Sequence, residues 1–296
     1  MMVRADTDPA AAPMRDWGML SARERNAAYD NAGAVPGSRA YMAALRVASA
    51  QVMQPIPDQA YGAGERNRWS LYPGTRPDMP CLIFIHGGYW QMNRHEDFAA
   101  LVTGVQALGW SVAMPGHTLA PQASLSRIVA EVDAAIDWLS RYGGAMGISG
   151  PFLVAGWSAG ATLSALALDH PSIAAGLAIS GIFELGPLRD TWLNDALRLT
   201  DDEIMDLSPL RRAISPKPLG IVYGTRELSA LSGDSRAFHD YRTASHAPGM
   251  LLPVPGADHF SILDGLRQPD GVLVHAATLL MSMVDGQDNA HDQDTP

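Results

Sequence analysis

The sequence predicts an α/β fold, a mostly parallel sheet with helices on both faces. Three observations predict it. Strand-like and helix-like segments alternate along most of the chain, which demands crossover connections between parallel strands. The strand-like runs are apolar at successive positions, as suits strands covered on both faces. The 296 residues, 47% hydrophobic and 18% charged, can also bury a large core.

Taken in order, "WSLYP" near Trp69 and "CLIFI" (Cys81 to Ile85) read as strands, followed by a helix over "HEDFAALVTGVQALG" and a strand "WSVAMP" from Trp110. Leu125, Ile128, Val129, Val132, Ile136 and Leu139 then form one face of a helix with a 3.6-residue period. Strand "FLVAG" (152–156) leads into the helix "SAGATLSALALDH". Strands "GLAIS" (176–180) and "LGIVYG" (219–224), a helix through Phe238, strand "GMLLPVPG" (249–256) and a last helix after Ile262 complete the series. Residues 182–216 break the rhythm. They are too long and too mixed for a simple crossover, so they are expected to form a helical cap insertion over the strand ends. Residues 1–14 and 285–296 are expected to be disordered arms, leaving one domain over 15–284.

The formal charge of −10, with Asp285, Asp288, Asp292 and Asp294 in the final stretch, argues against nucleic acid and anionic membranes as partners. A small-molecule substrate is expected instead, and a homodimer is left open. The single cysteine, Cys81, sits inside a predicted strand and reads as a core residue. One cysteine and the lack of a signal-like start or long apolar run fit a soluble, cytoplasmic protein. No spacing of His, Asp or Glu resembles a metal-ligand set, and "NRHED" (93–97) reads as a helix start. No metal or other cofactor is expected.

The chemistry gathers at "GWSAG", Gly156 to Gly160, which lies between a predicted strand and a predicted helix. In that context the pattern is a nucleophile elbow, a sharp turn that holds Ser158 with Oγ exposed. A serine needs a base, and on such a sheet the order is Ser, acid, His. Among nine histidines, His259 in "PGADHFSIL" follows the last strand at the carboxyl edge, where sites collect. Glu227 in "GTREL" is the first carboxylate after the preceding strand and the candidate acid, with Asp234 as the alternative. Glu227 would accept the Nδ1–H of His259 and leave Nε2 free to take the Ser158 proton. The glycines of "HGGYW" follow another buried strand, where backbone N–H groups can approach a ligand. Gly88 and Tyr89, with Ala159 after the nucleophile, are the candidate oxyanion donors.

At these residues the chain resembles the kynurenine formamidases (arylformamidases) of the α/β-hydrolase fold, whose hallmark is His-Gly-Gly-x-Trp, here His86-Gly87-Gly88-Tyr89-Trp90. "HTLAPQASLSRIVAEVDAAIDWL", "AGWSAGA" and "YDNAGAVPGSRAYMAALRVASA" also look like family segments in family order, covering most of residues 20–265. Trp157 stands where relatives often carry His, and Glu227 where many carry Asp. The resemblance implies a cytoplasmic serine hydrolase of tryptophan catabolism that cleaves an aryl formamide through the triad Ser158, Glu227 and His259. A carboxylesterase would use the same machinery. Tyr89, Trp90 and Trp157 would be suited to packing a substrate ring. Arg189 or Arg198 in the insertion is the candidate for its amino-acid end.

Overall fold

The computed structural model describes residues 17–293. Its sheet has eight strands, β1 (Gln59–Ala60), β2 (Arg68–Tyr72), β3 (Cys81–Ile85), β4 (Ser111–Pro115), β5 (Phe152–Trp157), β6 (Ile173–Ile179), β7 (Leu219–Gly224) and β8 (Gly249–Val254). They lie in the order β1-β2-β4-β3-β5-β6-β7-β8. β1 and β2 run antiparallel to their neighbours, and β4 through β8 pair in parallel. Seven of these strands coincide with the expected runs, and the two-residue β1 is too short to leave a pattern. The ends of β3, β5, β6, β7 and β8 therefore share one edge.

Successive side chains of a strand point to opposite faces. In β3, Cys81, Ile83 and Ile85 enter one core cluster and Leu82 and Phe84 the other, so an unbroken apolar run serves two cores. The helices are α1 (Ala22–Ala27), α2 (Asn31–Ala34), α3 (Ser38–Ser49), α4 (Thr103–Gln106), α5 (Leu125–Tyr142), α6 (Ala159–Ala167), α7 (Asn194–Leu197), α8 (Asp201–Leu207), α9 (Ser229–Ala244) and α10 (Val272–Gln293). α5, α6 and α9 cover the first face, whereas α3, α4 and α10 cover the second. The helix expected over "HEDFAALVTGVQALG" is a 3-10 run, His95–Val102, continued by the short α4.

The insertion is helical, as expected. It comprises a 3-10 turn at Gly186–Asp190, then α7, α8 and a second turn at Pro209–Arg211. Glu203 of α8 caps its own helix with Thr200, and its Oε1 accepts from the backbone N–H and hydroxyl of Ser126, both at 2.9 Å, binding the insertion to α5. Residues 1–14 lie outside the described residues. The expected tail at 285–296 is corrected in part: α10 continues to Gln293, because extending an existing helix avoids the cost of nucleating one. Among the described residues no helix is long and apolar enough to cross a membrane.

Candidate active site

Ser158 stands between β5 and α6 with φ 57° and ψ −120°. This conformation is unfavourable for a residue with a Cβ and persists only where its surroundings impose it. Here the Ser158 N–H donates to the Ile179 carbonyl at 2.8 Å, and α6 packs directly on the sheet. A Cβ at Gly160 would lie 2.1 Å from the Ile85 carbonyl oxygen, so only glycine permits that contact. The hydroxyl is thereby held at the amino end of α6, where the first N–H groups have no intrahelical acceptor and the dipole is positive.

His259 reaches Ser158 from the loop after β8. Its Nε2 lies 3.0 Å from Ser158 Oγ and its Nδ1 3.2 Å from Glu227 Oε2. Three residues position the imidazole, namely Trp157, Asp258 and Glu227. Trp157 Nε1–H donates to the His259 carbonyl at 2.7 Å, and the two rings pack with centroids 5.0 Å apart. The Asp258 carboxylate accepts the N–H groups of Phe260 and Ser261 at 3.0 and 2.9 Å, which shapes the loop. The Glu227 side chain is fully buried, and its Oε1 accepts from the Ser180 hydroxyl and the Gly224 N–H, both at 2.6 Å. One carboxylate oxygen is thus fixed, and the other faces the imidazole.

Asp234, the alternative acid, serves elsewhere. Its carboxylate accepts the N–H groups of Phe183 and Glu184 at 2.5 and 3.0 Å, tying the start of the insertion to α9. Burial pushes its carboxyl up to about 7.

The turn after β3 packs against Ser158. A Cβ at Gly87 would lie 2.9 Å from Ser158 Cβ and 2.6 Å from the Trp157 carbonyl oxygen, so the backbone approaches as closely as it can. The Gly87 carbonyl lies 2.9 Å from His86 Nδ1 and accepts from Asn93 Nδ2 at 3.0 Å. The Gly88 carbonyl accepts the N–H groups of Gln91 and Met92 at 2.9 and 3.1 Å. In a trans peptide the N–H points opposite to the C=O. The N–H groups of Gly88 and Tyr89 are therefore turned away from these anchors, with φ at 122° and 52°.

A model of the BD-FAE family matches residues 71–170, which hold β3, the glycine turn and Ser158. The kynurenine formamidase of Danio rerio is 27% identical over 92% of this chain and 99% of its own length. The chain is an α/β-hydrolase similar in sequence to that formamidase. The esterase LipC of Mycobacterium tuberculosis is 28% identical to this hydrolase over 71% of the chain and 59% of its own length. A solved candidate thioesterase from Silicibacter sp. TM1040 is 25% identical, with a TM-score of 0.76, over 86% of this hydrolase and 99% of that chain.

Ser158 and His259 open into a cleft of about 540 Å³. Gly88, Tyr89, Trp157 and Phe260 line its base, and Met42, Met92 and Trp192 give it apolar walls. His86, Gly87 and Trp90 are not among its lining residues. Trp90 is 1% exposed and packs in the core, and His86 stacks on His117 behind the turn with centroids 4.5 Å apart. The motif histidine and tryptophan thus support the turn rather than line the cleft. Arg189 pairs with Asp201 and Arg198 lines a separate hollow beside α5, so neither meets the expectation for a substrate group.

Sequence reasoning missed the other half of the roof. α2 and α3 bring Asp30, Asn31, Ser38, Arg39 and Arg46 into the cleft. α3 and the α1 segment before them are stitched to distant parts of the chain: Trp17 Nε1–H donates to Asp190 at 3.0 Å, Asn26 Oδ1 accepts the Trp192 N–H at 2.9 Å, and Tyr41 donates to Asp264 at 3.0 Å. An available signal was the capping pair Ser21 and Glu24, which marks the start of α1. Ser180 was also missed, although it follows β6 directly at the same edge of the sheet.

Proposed function

We propose that this hydrolase cleaves a small aryl formamide, N-formylkynurenine to kynurenine and formate, through a formyl-serine intermediate. The observation that carries the reading is the hydrogen-bonded series Ser158, His259 and Glu227 opening into an aromatic-walled cleft. Ser158 Oγ attacks the formyl carbon as its proton passes to His259 Nε2, and Glu227 orients the imidazole and stabilises the imidazolium. The N–H groups of Gly88, Tyr89 and Ala159 receive the oxyanion, each contributing on the order of 3 kcal/mol to the transition state. The C–N bond then breaks as His259 protonates the departing aryl amine. Water, deprotonated by the same imidazole, attacks the formyl ester and releases formate and free serine.

The kynurenine formamidase relative supports the formamide substrate. The esterase relative favours a second reading, a carboxylesterase on small aryl or acyl esters. Acyl length separates the two. For a formamidase, kcat/KM on a fixed anilide leaving group should fall about a hundredfold from formyl to butyryl, since added methylenes displace the carbonyl from its donors. A rise along the same series would overturn the formamidase reading in favour of the esterase.

A further inference from the structure

We infer that the roof of the cleft recognises an α-amino acid headgroup on the leaving-group side of the substrate, Arg39 taking its carboxylate and Asn31 its ammonium. This rests on the proposed hydrolysis at Ser158 and names the part of the substrate which that chemistry does not touch.

Asn31 is 3% exposed and lines the cleft. Its Nδ2 donates to the Tyr89 hydroxyl at 2.7 Å, and that hydroxyl donates to the Tyr29 carbonyl. Because the Tyr89 proton is committed to Tyr29, the hydroxyl can only accept from Asn31, which fixes the amide orientation. Oδ1 is left buried with no hydrogen-bond partner among the described residues. An acceptor stranded in this way has lost its hydration without gaining a bond, a cost that a donor on a ligand would relieve. Asp30, on the same wall, accepts the Gly33 N–H at 2.9 Å through Oδ1, so Oδ2 can share an ammonium with Asn31.

Arg39 projects from the first turn of α3 into the same cleft. No hydrogen bond or ion pair engages it among the described residues. Arg46, two turns further along the same face, is occupied by Asn93 at 2.9 Å and Asp97 at 3.4 Å. Arg39 is thus the uncommitted guanidinium of the cleft, and its planar fork matches a carboxylate. A simple amine would leave Arg39 unpaired, and a simple acid would leave Asn31 Oδ1 stranded. A zwitterion answers both, and the bond from Asn31 to Tyr89 sets it beside the turn that faces Ser158.

The test compares N-formylkynurenine, its methyl ester and 2-formamidoacetophenone, which lacks the amino acid. Wild-type kcat/KM should fall about ten- to a hundredfold from the first to either of the others, mostly through KM. In Arg39→Gln the ratio of the acid to its methyl ester should collapse to near one. Equal wild-type rates on all three, or an unchanged ratio in Arg39→Gln, would overturn the inference. If no formamide is cleaved, O-acetyltyrosine against p-cresyl acetate asks the same question with esters. A preference for the tyrosine ester that Arg39→Gln abolishes would sustain headgroup recognition while the formamidase reading falls, and no preference would overturn both.

Discussion

The stacked pair His86 and His117 predicts a loss of stability in mild acid. Both rings are essentially fully buried, each Nδ1 faces a backbone carbonyl, Gly87 at 2.9 Å and Thr118 at 2.8 Å, and both Nε2 atoms lack a partner among the described residues. With Nδ1–H donating, each ring is neutral. Protonation would place a cation in a site with no acceptor for it, beside a second ring 4.5 Å away and Arg66, whose Nε–H donates to the His117 carbonyl at 2.8 Å. His95 adds to this repulsion and Glu131 opposes it. Burial therefore depresses both groups, His117 from 6.5 to about 4 and His86 well below 6.5.

A depressed histidine leaves the unfolded chain as the better proton binder below pH 6.5, so stability falls with pH down to the folded value and no further. For His117 that window, 6.5 to about 4, corresponds to about 3 kcal/mol at 1.36 kcal/mol per pH unit, and His86 adds in the same direction. Urea unfolding followed by tryptophan fluorescence at pH 7.5, 6.5, 5.5 and 4.5 measures it. His117→Phe keeps a stacked ring and removes one titration, so the wild-type-minus-variant difference should shrink by about 2.5 kcal/mol between pH 7.5 and 4.5, most of that window. Carboxylates common to both proteins cancel in that difference. Parallel pH curves for the two proteins would refute the reasoning.

Ser158→Ala and His259→Ala should each lower kcat by about a thousandfold or more, since nucleophile and base act as a unit, and Ser158→Ala should do so without lowering Tm. Phenylmethylsulfonyl fluoride should label Ser158, as mass spectrometry of the digested protein would show. Glu227→Gln should cost about a hundredfold or more in kcat by disturbing the imidazole, whereas Asp234→Asn, whose amide oxygen can still accept from Phe183 and Glu184, should stay within a few-fold. Steady-state kinetics in which Asp234→Asn is the more damaging would reassign the acid. Trp157→Phe keeps the ring packing on His259 but loses the N–H donated to its carbonyl, so kcat should drop about tenfold with KM nearly unchanged.

The sheet was legible because a doubly covered strand writes itself as a contiguous apolar run, as in β3 and β7. Ser158, Glu227 and His259 could be nominated because chain order on such a sheet assigns each to the end of a known strand. The roof was not legible. α1 and α2 are six and four residues long, too short for a periodic face, and their partners are distant in sequence, Trp192 for Asn26 of α1 and Tyr89 for Asn31 of α2. Trp90 misled for a related reason: a motif fixes residue types around a turn without saying which side chain faces the ligand and which the core. Arg189 and Arg198 were suggested by their place in the insertion, while the uncommitted guanidinium belongs to a helix whose docking is set by tertiary contacts.

The stitches between the two halves of the roof also set a timetable. They join residues 173, 166 and 223 positions apart, so residues 17–41 must wait for partners made much later in the chain. At 5–20 residues per second that wait is roughly ten to forty seconds. Closing such wide loops adds little to the thermodynamic cost, because loop entropy grows only logarithmically with length. The delay is kinetic. A nascent chain can build strands and bring the serine to its turn well before it has a cavity to hold anything beside it, because the cleft closes only once Trp192, His259 and Phe260 have been made.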